Sequence, residues 1–215
     1  MGRRATEPLL FASVVAAAIA AGGPARAAGE MGFGLSYDAR VPLGSFRDFV
    51  SDPGWQGFQG SLDYFPIDAV SVGVAVQYEL FRQDFPTQTM QIPNGAITSE
   101  VFRHAAVWSI FPVARAYLLP RAVVRPYLAL GVGPVDVIHN AQASDVVVSN
   151  DRWALMVQPS AGVFYRIGPN PPYGLRDDPG FGVSASLSYA WTSSSFGAVS
   201  NLSSLGAQLG LYGKY

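Results

Sequence analysis

The sequence predicts an all-β protein: an eight-stranded antiparallel transmembrane β-barrel that follows an N-terminal signal peptide. Three observations carry that prediction. Charged residues fill only 13% of the 215 positions, about half the usual soluble share, while glycine (23) and aromatics (13 Phe, 10 Tyr, 4 Trp) are plentiful. Apolar residues recur with period two in eight separate stretches, as strands between two unlike environments require. The links between stretches alternate, with one exception, between long polar segments and short ones, the arrangement of outer loops and inner turns of a membrane barrel.

The chain opens with Arg3 and Arg4, an apolar stretch from Leu9 to Ala21, and the small-x-small end Ala25-Arg26-Ala27. That is the layout of a secretory signal, with cleavage expected after Ala27. Its apolar stretch would span about 20 Å as a helix, short of the roughly 30 Å hydrocarbon core. Residues 28–215 then form the barrel domain. Without Arg3, Arg4, Arg26 and Glu7 it keeps 11 basic and 14 acidic side chains. No later stretch reads as an apolar 18-mer free of Gly, Pro and charge.

The strands follow in order. From Met31 to Val41 the odd positions are Met, Phe, Leu, Tyr, Ala and Val, against Gly32, Gly34, Ser36, Asp38 and Arg40. Phe58, Leu62 and Tyr64 alternate with Gln59, Ser61 and Asp63; Val70 to Leu80 alternates with Ser71, Gly73, Ala75, Gln77 and Glu79. The fourth stretch, Glu100 to Leu118, sets Phe102, Ala106, Trp108, Ile110 and Ala114 opposite Arg103, Ser109 and Arg115, with His104 and Pro112 on the apolar side. Pro112 lacks a ladder donor, so a bulge or irregular pairing is expected there. The fifth runs from Arg125 to Val137, the sixth from Arg152 to Ile167, the seventh from Phe181 to Trp191, and the last from Leu202 to Tyr215.

Long polar connections are expected at Pro42–Trp55, Arg82–Ile97, Ile138–Asp151 and Thr192–Asn201, and short ones at Pro66–Ala69 and Pro120–Val124. Gly168 to Pro179 breaks the alternation by its length. Strands facing lipid cannot leave an open edge, since each unpaired N–H or C=O there costs several kcal/mol. A soluble barrel would instead hide its apolar face and carry many charges outside, which the small, polar second face lacks. Girdles of aromatics are expected at two interfaces: Phe33, Tyr64, Tyr117, Tyr127, Tyr165, Phe181 and Tyr215 at the inner one, Tyr37, Phe58, Tyr78, Trp153, Tyr189 and Trp191 at the outer.

Short stretches resemble known families. Arg125-Pro126-Tyr127-Leu128-Ala129-Leu130-Gly131-Val132-Gly133 resembles a strand of the eight-stranded outer-membrane barrels, the OmpA-like and OmpW-like families. Phe111-Pro112-Val113-Ala114-Arg115-Ala116-Tyr117 is similar to the strand that precedes it there. Leu209-Gly210-Leu211-Tyr212-Gly213-Lys214-Tyr215 resembles the terminal signal read by the outer-membrane assembly machinery, which implies Leu209, Leu211 and Tyr215 as its alternating apolar and final aromatic positions. The resemblance implies the outer membrane of a Gram-negative bacterium, both barrel termini periplasmic, and lipopolysaccharide and other outer-membrane lipids as surroundings. A monomer is expected, with no periplasmic domain after the last strand.

Function is less marked. A net charge of −1 gives no footprint for nucleic acid, and the absence of cysteine excludes a disulfide scaffold or thiolate site. No cofactor, metal or catalytic residue is expected. His139 has Ser144 and Asp145 nearby, the residue types of a triad, but polar outer loops collect such residues, and a lipid-modifying enzyme is the least favoured reading. The lumen-facing ionisable set is Asp38, Arg40, Asp63, Glu79, Arg115 and Arg166, with Gln77, Gln158 and Gln208. Both signs occur, so a salt-bridged plug is expected in a structural or surface-interacting barrel. A narrow conduit for small, even apolar, molecules is the alternative, kept open by the room that inward glycines leave.

Overall fold

A computed structural model describes residues 29–92, 95–143, 146–167, 180–193, 199 and 201–214. The expected signal peptide, Ser144, Asp145, the 168–179 connection and Tyr215 lie outside these residues. Eight strands follow one another: β1 (Glu30–Leu43), β2 (Gly54–Ile67), β3 (Val70–Ile92), β4 (Gly95–Tyr117), β5 (Val124–Ala143), β6 (Val146–Ile167), β7 (Phe181–Thr192) and β8 (Leu202–Lys214). Helix α1 (Ser45–Phe49) stands between β1 and β2. Each strand pairs antiparallel with its neighbours in sequence, and β8 pairs with β1 from Gly32↔Lys214 to Leu43↔Ser203, closing the barrel.

The alternation read in the sequence sets what faces out. On β1 Met31, Phe33, Leu35, Tyr37 and Val41 are exposed, while Gly32, Gly34, Asp38 and Arg40 are buried. Leu62, Val74, Ile110, Val132, Leu155, Leu187 and Leu209 continue the exposed apolar belt around the other strands. Soluble monomers rarely expose apolar patches beyond a few hundred Å², and this belt runs around the whole circumference, so it faces lipid. Closure then leaves no strand edge in hydrocarbon. Carried once around the barrel through the registers, Gly32 returns to β1 at Pro42, ten residues up the strand. A stagger of that size in eight strands tilts them about 40° from the axis.

Two expectations are corrected and one is met. The segments 82–97 and 138–151, read as outer loops, are mostly strand. The β3–β4 ladder runs on through Arg82↔His104 to Ile92↔Gly95, and β5–β6 to Ala143↔Val146. Polar residues on both faces are what a sheet standing in water requires, and in sequence that composition is indistinguishable from a loop. At Pro112 the expected irregularity is present: β3 pairs continuously through Val74↔Pro112, but the β4–β5 ladder is interrupted from Ile110 to Pro112, between Ser109↔Val135 and Val113↔Gly131, with one register on either side and so without a bulge. The register shifts lie instead between Asp38 and Arg40, Tyr64 and Ile67, and Phe85 and Gln88.

The second correction concerns the interior, which is not only small and polar. Phe65, Phe81, Phe111, Tyr117, Tyr127, Met156, Phe164 and Tyr212 all point inward and are buried. Tyr117 and Tyr127 therefore leave the predicted inner girdle. Glycines on adjoining strands make the space for these rings. A Cβ at Gly131 would lie 2.5 Å from Phe111, one at Gly32 2.1 Å from Tyr212 and one at Gly182 2.6 Å from Phe164. The room that inward glycines leave is taken up by neighbouring side chains.

Candidate functional site

The lumen is layered. At the end where β1 begins and β8 ends, Phe65, Tyr117, Tyr127, Phe164 and Tyr212 form an aromatic floor. Tyr117 and Tyr127 lie 5.6 Å apart between ring centroids, Phe164 and Tyr212 5.7 Å, and Phe65 and Tyr117 5.9 Å, spacings typical of attractive ring pairs. Lys214 Nζ lies 4.5 Å from the Phe65 ring centroid, and it pairs with Glu30 and, at 3.7 Å, with Asp68. Arg125 flanks the same floor, its guanidinium 5.7 Å from the Phe164 ring centroid. At this rim, below the lipid belt, burial and then the nearby charge of Arg166 lower the pKa of Arg125.

Two ionic clusters lie above the floor. Arg115 pairs with Asp63, whose other oxygen accepts from Tyr212 Oη at 3.1 Å and Ser61 Oγ at 3.2 Å. Higher up, Arg40 pairs with Asp38 at 3.0 Å and with Glu79. Arg40 also donates to Ser188 Oγ at 3.1 Å and to Ser204 Oγ at 3.4 Å. Gln208 Nε2 donates to Asp38 Oδ2 and to Gln59 Oε1, each at 2.9 Å. Charges this deeply buried persist only when paired and hydrogen-bonded, and β1, β2, β3, β7 and β8 each supply part of that shell.

Five of the six ionisable residues picked from the sequence thus fall into two clusters, Asp38–Arg40–Glu79 and Asp63–Arg115. The sixth, Arg166, stands near the end of β6 beside Arg125 at the terminal mouth. Sequence reading missed Gln59, Ser188 and Ser204 as partners. Their inward parity was visible, but which strands face each other across the lumen was not. Between the clusters lies a cavity of about 40 Å³ lined in part by Gln59, Arg115, Tyr127, Ser184 and Gln208, large enough for a few waters and no more.

At the hairpin end α1 covers the mouth. Phe46 and Val50 are fully buried, Phe46 meets Phe81 edge-on at 4.9 Å, and Val135, Val137, Val199 and Leu202 complete this apolar cap. Ser45 Oγ donates to the Asn201 carbonyl at 3.3 Å, tying α1 to the residue that leads into β8, the neighbour of β1.

Beyond the cap β3 to β6 stand higher than the other four strands. Paired to one another up to Val101↔Ala143 and Ala143↔Val146, they form a sheet that rises on one flank of the barrel. On its inner face Arg103 sits over the Phe85 ring at 4.8 Å and the Phe49 ring at 5.6 Å, and Phe49 meets His139 edge-on at 6.1 Å. Burial, then Arg152, lowers the pKa of His139, above the lipid belt. On its outer face His104 bonds Asn140 at 2.7 Å. Among the described residues no group of three His, Asp or Glu is placed to hold a metal ion.

No family model matches the chain, and no curated protein matches it. Solved structures of similar form are the attachment invasion locus protein Ail of Yersinia pestis, neisserial surface protein A and the outer membrane protease OmpT of Escherichia coli. Ail is 14% identical, covers 87% of this chain and 99% of its own, and has a TM-score of 0.46. Neisserial surface protein A is 15% identical over 87% and 97%, with a TM-score of 0.48. OmpT is 5% identical over 89% and 98%, with a TM-score of 0.46.

Proposed function

We propose that this chain is a monomeric barrel of a Gram-negative outer membrane with a structural and surface-interacting role, inserted with both termini in the periplasm. The observation that supports the role is the filled lumen: an aromatic floor, two paired ionic clusters and the α1 cap lie in series along the axis. A path for ions or small apolar molecules would have to displace all three, which disfavours the conduit reading. What stands free is the raised β3–β6 sheet, broad, mixed in polarity and placed to meet partners above the membrane. The outer membrane fits the closed β-barrel and the export signal, since the chain carries no apolar helix signal beyond residue 21.

An enzymatic role finds less support. His139 packs edge-on against Phe49 on the inner face of the raised sheet. Recognition of the terminal aromatic Tyr215 by the assembly machinery belongs to the same reading and is carried by the sequence resemblance.

Planar-bilayer recording of the refolded barrel tests the role. A silent membrane at protein amounts that give complete insertion is expected. Discrete conductance steps, abolished by widening the α1 cap with bulky inward substitutions, would establish a conduit instead.

A further inference from the structure

We propose that the outward face of β3, β4 and β5, where the lipid belt ends, holds a phosphate of lipid A through Arg82, His104 and Asn140. The proposal rests on the reading that the hairpin end faces the outer leaflet, and it adds the lipid that this flank would bind.

Position comes from the register. Arg82 pairs with His104 and His104 with Asn140, so the three form one row across three strands. All share the parity of Tyr78, Leu80, Trp108 and Ile138, the face turned to lipid. Along β3 the row stands ten residues above Val72, along β4 ten above Ala114, and along β5 ten above Leu130. At 3.3 Å per residue and a tilt of about 40°, that is roughly 25 Å along the membrane normal, the height of the apolar band of such barrels. The row therefore meets headgroups rather than acyl chains.

The surroundings fit a lipid seated by its chains and held by its head. Below the row Ala106 lies between Leu80 and Ile138, a small residue flanked by two larger ones. Below that, Tyr78 and Trp108 lie 4.5 Å apart with Phe58 against both, an aromatic shelf at the interface. Arg82 is well exposed. Its Nε engages Asp84 at 3.2 Å, a solvent-accessible pair of small worth, and its terminal N–H groups remain as donors. Asn140 Nδ2 donates to His104 Nε2, so the neutral imidazole carries its proton on Nδ1 and offers a second donor. Asp84 and Glu100 lie above the row and Asp136 below it on the same face. Glu100 and Asp136 disfavour an anion above and below the row, while Asp84, paired with Arg82 Nε, offsets part of that cation's charge.

The full mature chain in phosphatidylcholine nanodiscs tests this. It is titrated with bisphosphorylated lipid A, with the same lipid after removal of its phosphates, and with phosphatidylglycerol. Bound lipid is counted by native mass spectrometry, and the His104 ring resonances are followed by NMR. Wild-type barrel should prefer the bisphosphorylated lipid roughly tenfold over the dephosphorylated one, the size expected for one charge-assisted contact, and R82Q/H104Q should lose that preference. Gel mobility of the unheated protein shows whether the variant is folded; if it is not, R82Q alone should lose most of the preference. Equal binding of the phosphate-free lipid, equal binding of phosphatidylglycerol, or an unchanged preference in the folded variant would each overturn the site. None of these results depends on whether the barrel conducts, so the site can fail while the proposed role stands.

Discussion

Arg40 shows how one inward residue can commit the whole barrel. Its guanidinium joins Asp38 on its own strand to Glu79 on β3 and to hydroxyls on β7 and β8. Arg40→Met leaves two buried carboxylates without their cation and should cost about 3–5 kcal/mol, read from urea unfolding in lipid vesicles; adding Glu79→Gln should restore part of the loss. Glycines separate just as sharply by what stands opposite. Gly131→Val drives a side chain into the Phe111 ring and should cost about 1–3 kcal/mol, whereas Gly60→Val, with nothing within 4 Å of its Cβ, should be close to neutral in the same assay. The sequence made the sign and parity of Arg40 legible but not its partners, because only the register brings Glu79 and Ser188 to it. Parity already put Gly131 inside and Gly60 on the lipid face, but did not show that the Phe111 ring stands over Gly131.

At the scale of elements, the eight strands were legible because lipid is a uniform solvent. Every outward residue on β7, from Phe181 to Trp191, meets lipid, the aromatics at the interfaces and Val183, Ala185 and Leu187 between them, so the alternation survives whatever the neighbours are. The inner face has no such uniformity. Phe164 and Ser184 share the interior, one over Gly182 and the other beside the small cavity, and only assembly tells them apart. The rising ends of β3 to β6 were hidden for a different reason: both of their faces meet water, and polar sequence without contrast reads as loop. The lipid face of β7 gives a direct check. Leu187, 62% exposed and between the aromatics Phe181 and Tyr189, should lose about 2–4 kcal/mol on change to Arg, as measured by unfolding in vesicles. At Ser186, whose hydroxyl donates to Gln208 at 3.0 Å, the same change meets crowding in the lumen instead of lipid, so a quencher dissolved in the bilayer should reach a label at 187 and not at 186.

For the whole molecule, the decisive contact is the one between the first strand and the last. Deleting residues 205–215 removes the partner of both β1 and β7 and should abolish refolding into detergent as well as assembly in cells. Deleting Tyr215 alone should reduce assembly in cells far more than refolding, seen by comparing heat-modifiable mobility of the two preparations. The same contact governs timing. Seven of the eight seams join strands adjacent in sequence and can zip as hairpins within microseconds in a favourable solvent. The eighth must bring Gly32 to Lys214 across nearly the whole polypeptide, and no smaller loop can make it first. Closure of that seam is therefore the slow, late step. Substitutions along β1–β8 that leave the hairpins intact change how long the sheet stays open, and with it the period during which two unpaired edges can find another copy.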